Sequence, residues 1–116
     1  MRFSASTPIY LQVMGDIKNK IVSGALPAGA RLDSVRVLAA EYGINLNTMQ
    51  RACSELEREG VVETRRGIGS FVTGDGARIA ALREEKAREL ARSYLEGMAG
   101  LGFPRAEALE RLKEEL

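Results

Sequence analysis

The feature that most narrows the fold is a pair of short helices separated only by a glycine-centred turn. Asp33 and Ser34 are both N-cap candidates, and behind them Val35, Leu38 and Ala39 place apolar side chains on one side of a short helix over residues 35–41. Gly43 ends that helix, being suited to the positive φ of a C-terminal cap. Asn45 then caps a further helix in which Met49, Ala52, Cys53 and Leu56 fall at i, i+3, i+4 and i+7 before Gly60 closes it. The opposite face carries Asn47, Thr48, Gln50, Arg51, Ser54 and Arg58. Two such helices around Gly43 and Ile44 have the proportions of a helix-turn-helix.

The flanking segments extend this unit. Thr7 reads as an N-cap with Pro8 at the first helical position, after which Ile9, Val13, Ile17 and Ile21 recur at i+4 steps beside Tyr10 and Met14. Ser23 and Gly24 end that helix; Pro27 and Gly29 then form a turn, and Arg31-Leu32 has room for a very short strand. Residues 61–65 and 70–73 are β-branched or aromatic runs around Arg66-Gly67-Ile68-Gly69, which predicts a hairpin with a basic, glycine-containing tip. Gly74-Asp75-Gly76 reads as a flexible joint. Beyond it Ile79 and Leu82 precede a helical stripe of Ala87, Leu90, Ala91, Tyr94, Leu95 and Met98, which Gly100-Leu101-Gly102 breaks. Pro104 opens a last helix with Ala108, Leu109, Leu112 and Leu116 on one side. The expected fold is mainly α with a small β hairpin (α+β). It has a winged helix-turn-helix domain over residues 1–74 and a short two-helix dimerisation tail over 75–116.

Composition removes whole classes of function. In 116 residues, 45% of them hydrophobic, the chain can bury one modest core. Seventeen Lys and Arg against sixteen Asp and Glu leave a net charge of +1, so any basic site must be local. No apolar run approaches the roughly 18 residues of a membrane span, and the expectation is a soluble, cytoplasmic protein with no membrane partner. The single cysteine excludes an internal disulfide, and the absence of histidine removes the commonest metal ligand and the commonest general base near neutral pH. No catalytic residue, metal or cofactor is therefore expected, and Cys53 reads as a small core residue. Three Phe, three Tyr and no Trp argue against aromatic platforms for single-stranded nucleic acid, which leaves duplex DNA open.

Duplex recognition accounts for the polar residues. A helix over 45–59 entering the major groove would bring Asn47, Thr48, Gln50 and Arg51 to base edges, where amides pair with adenine and guanidinium with guanine. A wing over 64–71 would supply Arg65 and Arg66, with backbone N–H groups near Gly67 and Gly69 free to approach phosphates, and Arg36 would flank the same surface. Residues 45–51 and 64–71 contain three arginines and no acid. Over residues 1–74, nine bases face seven acids; over 75–116, eight face nine, as suits a tail that meets protein. Arg58, with Glu55, Glu59 and Glu63 near it in sequence, reads as part of an ion-pair face. The strand alternation leaves the direction of Arg65 open.

Several ordered motifs carry a family resemblance. Pro8-Ile-Tyr-Leu-Gln12, Gly24-Ala-Leu-Pro-Ala-Gly29, Leu32-Asp-Ser-Val-Arg36, Leu38-Ala-Ala40, Asn47-Thr-Met49, Leu56-Glu-Arg-Glu-Gly60 and Thr64-Arg-Arg-Gly-Ile-Gly-Ser-Phe-Val72 together resemble the GntR family of bacterial transcription regulators over residues 7–73. The short tail, with Leu101-Gly-Phe103 and its amphipathic last helix, looks like the YtrA subfamily. The resemblance implies DNA contacts at Arg36, Asn45, Leu46, Asn47, Thr48, Gln50, Arg66 and Gly67. Two positions depart from the pattern: Asp33 stands where the family usually has proline, and Leu46 where many members have arginine or, in YtrA-like chains, proline. A leucine cannot pair with guanine, so the operator reading of other members does not transfer.

The resulting expectation is a sequence-specific transcription regulator, a repressor that binds a palindromic DNA operator as a homodimer. Its recognition helices would lie about 34 Å apart in successive major grooves. Two amphipathic helices cover their stripes more readily against a copy than alone, which assigns Leu90, Tyr94, Leu95, Met98, Leu109 and Leu112 to the dimer interface. An unknown small-molecule effector would have to bind between protomers or on the DNA-binding domain. The alternative is a winged-helix protein-interaction module without specific DNA binding; an enzyme is a distant third, since no carboxylate pair stands out from the solvated helix faces.

Overall fold

A computed structural model describes residues 1–116. In chain order it forms α1 (Ile9–Val22), α2 (Val35–Tyr42), α3 (Leu46–Arg58), the hairpin β1 (Val62–Arg65) and β2 (Gly69–Val72), then α4 (Gly76–Gly100) and α5 (Arg105–Glu114). The chain divides into two units, Met1–Leu82 and Arg83–Leu116, with the division inside α4.

In the first unit α3 is the central element, packed on α1, α2 and β1. The i+4 stripe of α1 buries Val13, Ile17 and Ile21 with Met14, against Leu38 and Ala39 of α2 and Met49, Ala52 and Leu56 of α3. Val61, Val62 and Val72 close the core from the hairpin side, and Leu82 joins it from α4. The turn between α2 and α3 works through two caps. Gly43 takes φ 66° and donates its N–H to the Ala40 carbonyl, while the Asn45 side-chain oxygen accepts from the Asn47 N–H at 2.7 Å. A Cβ at position 43 would be strained in that left-handed conformation, so the glycine sets where the first helix ends.

The hairpin is antiparallel, pairing Val62 with Val72 and Arg65 with Gly69. Arg31 forms the short pairing expected near Leu32, as a single bridge to Phe71, with Leu32 N–H donating to the Ser70 carbonyl at 2.8 Å.

Three local expectations are corrected. Helix α1 begins one residue late, with Pro8 at the N-cap (ψ 139°) and no side-chain cap; the Thr7 carbonyl instead accepts from the Gln12 side chain at 2.7 Å. Ile9, at the end of the α1 stripe, is left exposed. The joint at Gly74-Asp75-Gly76 is an ordered helix start, because the Asp75 carboxylate accepts from the N–H groups of Ala77 and Arg78 while Thr73 Oγ1 accepts from the Asp75 N–H.

In the second unit the α4 segment after Leu82 and α5 meet around Ala108, which is fully buried, and the Tyr94 hydroxyl donates to the Ala108 carbonyl at 2.7 Å. Phe103 lies under the Arg111 guanidinium, 4.9 Å from its ring centre. Leu116 lies beyond α5 and is exposed, outside the stripe expected for it.

Candidate nucleic-acid interface

Helix α3 turns one face inward and leaves Asn47, Gln50, Arg51, Ser54, Glu57 and Arg58 exposed. Gln50, Ser54 and Glu57 look toward the wing. With Ser34 at the start of α2 and Thr64, Gly69 and Ser70 of the hairpin, they line an open groove of about 600 Å³. The groove shows that the start of α2, the wing side of α3 and the hairpin share one surface. Arg36, in the first turn of α2, is exposed near it.

The expected contact residues differ in how free they are. Asn47, Gln50, Arg36 and Arg66 project into solvent, whereas Thr48 is half-buried. Asn45 spends its side-chain oxygen on the helix cap, and its exposed amide N–H₂ is what remains for a ligand. Leu46 is half-buried against the core rim, so it offers an apolar edge at most. Arg65 is exposed and stacks on the Phe71 ring, 4.5 Å from its centre, which settles that its guanidinium lies on the Phe71 side of the hairpin. Arg58 forms the expected ion pair, with Glu55 at 3.1 Å.

Asp33 and Glu57 line the same groove, but the arginines of this surface are not paired with them. Lys18 pairs with Glu59 at 2.7 Å and Lys20 with Asp16 at 3.3 Å, while Arg36, Arg51, Arg65 and Arg66 form no ion pair. A duplex phosphate would therefore meet cations that need not first abandon a carboxylate. Cys53 lines the groove half-buried, and burial pushes its thiol above the ordinary cysteine range, as suits a packed and unreactive side chain. No group of three His, Cys, Asp or Glu side chains converges as a metal site, and no helix is long and apolar enough to cross a membrane.

Two contributors escaped the sequence. Arg31 reaches under the wing and donates from Nη2 to the Ile68 carbonyl at 2.7 Å. Its guanidinium fills the space beside Gly69, where an added Cβ would lie 3.1 Å from Arg31 Nε, and Gly69 itself sits at φ 144°. Tyr10, on α1, lies beneath Arg51 with the guanidinium 3.9 Å from the ring centre. Neither residue carries a sequence signal, since both contacts join positions far apart in the chain.

Comparison with known proteins agrees with this geometry. The family model described as bacterial regulatory proteins, gntR family, matches residues 9–72. The HTH-type transcriptional regulator YhcF of Bacillus subtilis is 39% identical over 112 residues, covering 97% of this chain and 93% of that protein. The transcriptional repressor YtrA of the same organism is 44% identical over 69 residues, covering 60% of this chain and 53% of that protein. Among solved structures, a GntR family transcriptional regulator from Listeria monocytogenes superposes with a TM-score of 0.86 at 37% identity, covering 97% of this chain and 98% of that one. With the family's helix-turn-helix and wing assembled on one surface, the chain belongs to the GntR family of transcription regulators, as a YtrA-like member with a DNA-binding winged helix and no enzymatic role.

Proposed function

We propose that this regulator is a repressor that reads a palindromic operator as a homodimer. Residues 1–74 would bind DNA, and 75–116 would form the dimer. The observation that carries the reading is the surface shared by α3 and the wing, where exposed amides at Asn47 and Gln50 lie near arginines without ion-pair partners. In this arrangement Asn47, Thr48 and Gln50 read bases, and Arg51 meets a base edge or a phosphate. Arg36, Arg65, Arg66 and the backbone near Gly67 and Gly69 meet the phosphates or the minor groove, and Asn45 and Leu46 border them. Repression is supported by the name of the YtrA relative. Action on chromosomal DNA would place the protein in the cytoplasm.

Dimerisation is supported by the tail's unburied apolar surface. Leu90, Leu109 and Leu112 are exposed while Tyr94, Leu95 and Met98 are half-buried, which is more apolar surface than 34 residues need leave to water. An effector, if one acts, would bind between protomers or on the DNA-binding domain.

Selection from a random duplex library, followed by anisotropy on the winning site, tests this reading. A palindromic winner whose affinity falls at least tenfold, roughly the loss of one good base contact, in Asn47→Ala is the expected result. Enrichment of no sequence would replace it with the protein-interaction module.

A further inference from the structure

We propose that Tyr10, on α1 and outside both the recognition helix and the wing, is a positioning residue that holds Arg51 ready for the duplex. The inference rests on the operator-reading function proposed above and adds a part to its machinery. Successive helical residues are about 100° apart around the axis. With Gln50 facing the wing groove, Arg51 therefore turns to the other edge of the exposed face, toward α1. There its guanidinium lies 3.9 Å from the centre of the Tyr10 ring, and its Nη2 donates to the Tyr10 hydroxyl at 3.2 Å.

Three features make this a way of aiming Arg51 and not of neutralising it. Tyr10 is half-buried and packed on the core, so its ring is a fixed platform. The carboxylates on the same side of α3 are engaged elsewhere, Glu55 by Arg58 and Glu59 by Lys18, so Arg51 keeps its full charge. Stacking uses the face of the guanidinium and one N–H, which leaves the remaining in-plane donors for phosphate oxygens or a guanine edge. A long side chain ordered before binding loses less entropy on contact with DNA.

The test uses the full chain and the duplex it selects, with Tyr10→Leu, Tyr10→Phe, Arg51→Ala and each Tyr10 variant combined with Arg51→Ala. Tyr10→Leu should weaken binding about three- to tenfold, as loss of a partly desolvated cation–π contact would, and Tyr10→Phe less, since the ring remains. In the Arg51→Ala background Tyr10→Leu should cause no further loss. The slope of log affinity against log salt should fall by about one per protomer in Arg51→Ala and stay unchanged in Tyr10→Leu, because the charge is still present; a merely structural role would instead carry the Tyr10→Leu loss over into the Arg51→Ala background. Equal losses from Tyr10→Leu in both backgrounds, or no loss with melting temperature unchanged, would overturn the proposal. Should Tyr10→Leu fail to fold, Tyr10→Phe carries the test, since it removes the hydroxyl that accepts from Arg51: weaker binding that disappears in the Arg51→Ala background supports the assignment, and an equal loss in both backgrounds overturns it. A wild type that selects no duplex brings down the operator-reading function and this inference with it. A wild type that selects a site and is weakened by Asn47→Ala, but shows additive Tyr10 and Arg51 effects, removes this inference alone.

Discussion

Arg31 and Ile68 are joined by a 2.7 Å hydrogen bond that ties the segment before α2 to the tip of the wing. The guanidinium passes directly beside Gly69, so the absence of a side chain there and the presence of a long one at position 31 are a single arrangement. The wing is a two-stranded hairpin with four paired positions, and an unsupported hairpin of that size is marginal in water. The brace restrains the tip that carries Arg66 and Gly67.

Arg31→Ala should therefore weaken operator binding severalfold, while the melting temperature moves little because the side chain is exposed. Gly69→Ala should weaken it too and lower stability by about 1–2 kcal/mol, through its φ of 144° and the displaced Arg31. The double variant should bind no worse than Gly69→Ala alone, since both remove the same brace. Fully additive losses by anisotropy would show that the two residues act separately.

Asn45 combines a structural role with a candidate contact. Its side-chain oxygen caps α3 at the Asn47 N–H, so Asn45→Ala should lower unfolding stability by about 1 kcal/mol, and Asn45→Asp should restore most of it. Urea titration measures this. Affinity that recovers with stability in the Asp variant would make the residue a cap only; recovery of stability without affinity would show that its amide N–H₂ meets DNA.

The Tyr42 hydroxyl donates to Asp16 at 2.6 Å, linking the end of α2 to α1, and Lys20 approaches the same carboxylate at 3.3 Å. Burial alone would raise the Asp16 pKa, but the hydrogen bonds from Tyr42 and Lys20 and the Lys20 charge outweigh it and hold the carboxyl below its ordinary value of 3.8. Burial, followed by the neighbouring carboxylate, pushes the Tyr42 phenol well above its usual range, so it remains a donor at neutral pH. A depressed carboxyl pKa contributes stability that is present above the unfolded-state value and lost as pH falls through the folded-state value. Tyr42→Phe should cost about 0.5–1.5 kcal/mol at pH 7, and the gap to wild type should narrow below about pH 4 as Asp16 protonates. Urea midpoints at neutral and acid pH read this directly; a gap unchanged by acid would mean that the hydroxyl stabilises the fold independently of the carboxylate.

Leu109→Lys, alone or with Leu90→Lys, places a charge on tail surface that is already exposed, at 52% and 73%, so each protomer should keep its fold. Light scattering should show the variant shifted toward monomer, and affinity for the palindrome should drop much more than affinity for a half-site. A dimer that persists would assign the interface to another surface.

The elements were legible because their signals are local. The i+4 stripe of Val13, Ile17 and Ile21, the break at Gly43, the cap at Asn45 and the run from Val61 to Val72 all act over a few residues, within reach of backbone hydrogen bonding and side-chain periodicity. Where the local rules conflicted, reading failed: Thr7 followed by Pro8 fits a cap and first turn, but Gln12 folding back onto the Ser4 and Thr7 carbonyls moved the start to Ile9. The two glycines around Asp75 masked a carboxylate well placed to begin α4.

The amino-acid order by itself determined the helix-turn-helix, the hairpin and the choice of α3 as the helix with a polar outer face, since each follows from spacing along a few turns of chain. Tertiary structure alone decided which of those polar residues are free and which are held. Arg51 meets Tyr10 across 41 positions and Arg31 meets the wing across 37, and such contacts exist only after α1, α3 and the hairpin have packed on the common core of Met49 and Leu56. Periodicity shows which face of a helix turns outward; where a long side chain rests on that face is set by the neighbours packing brings beside it.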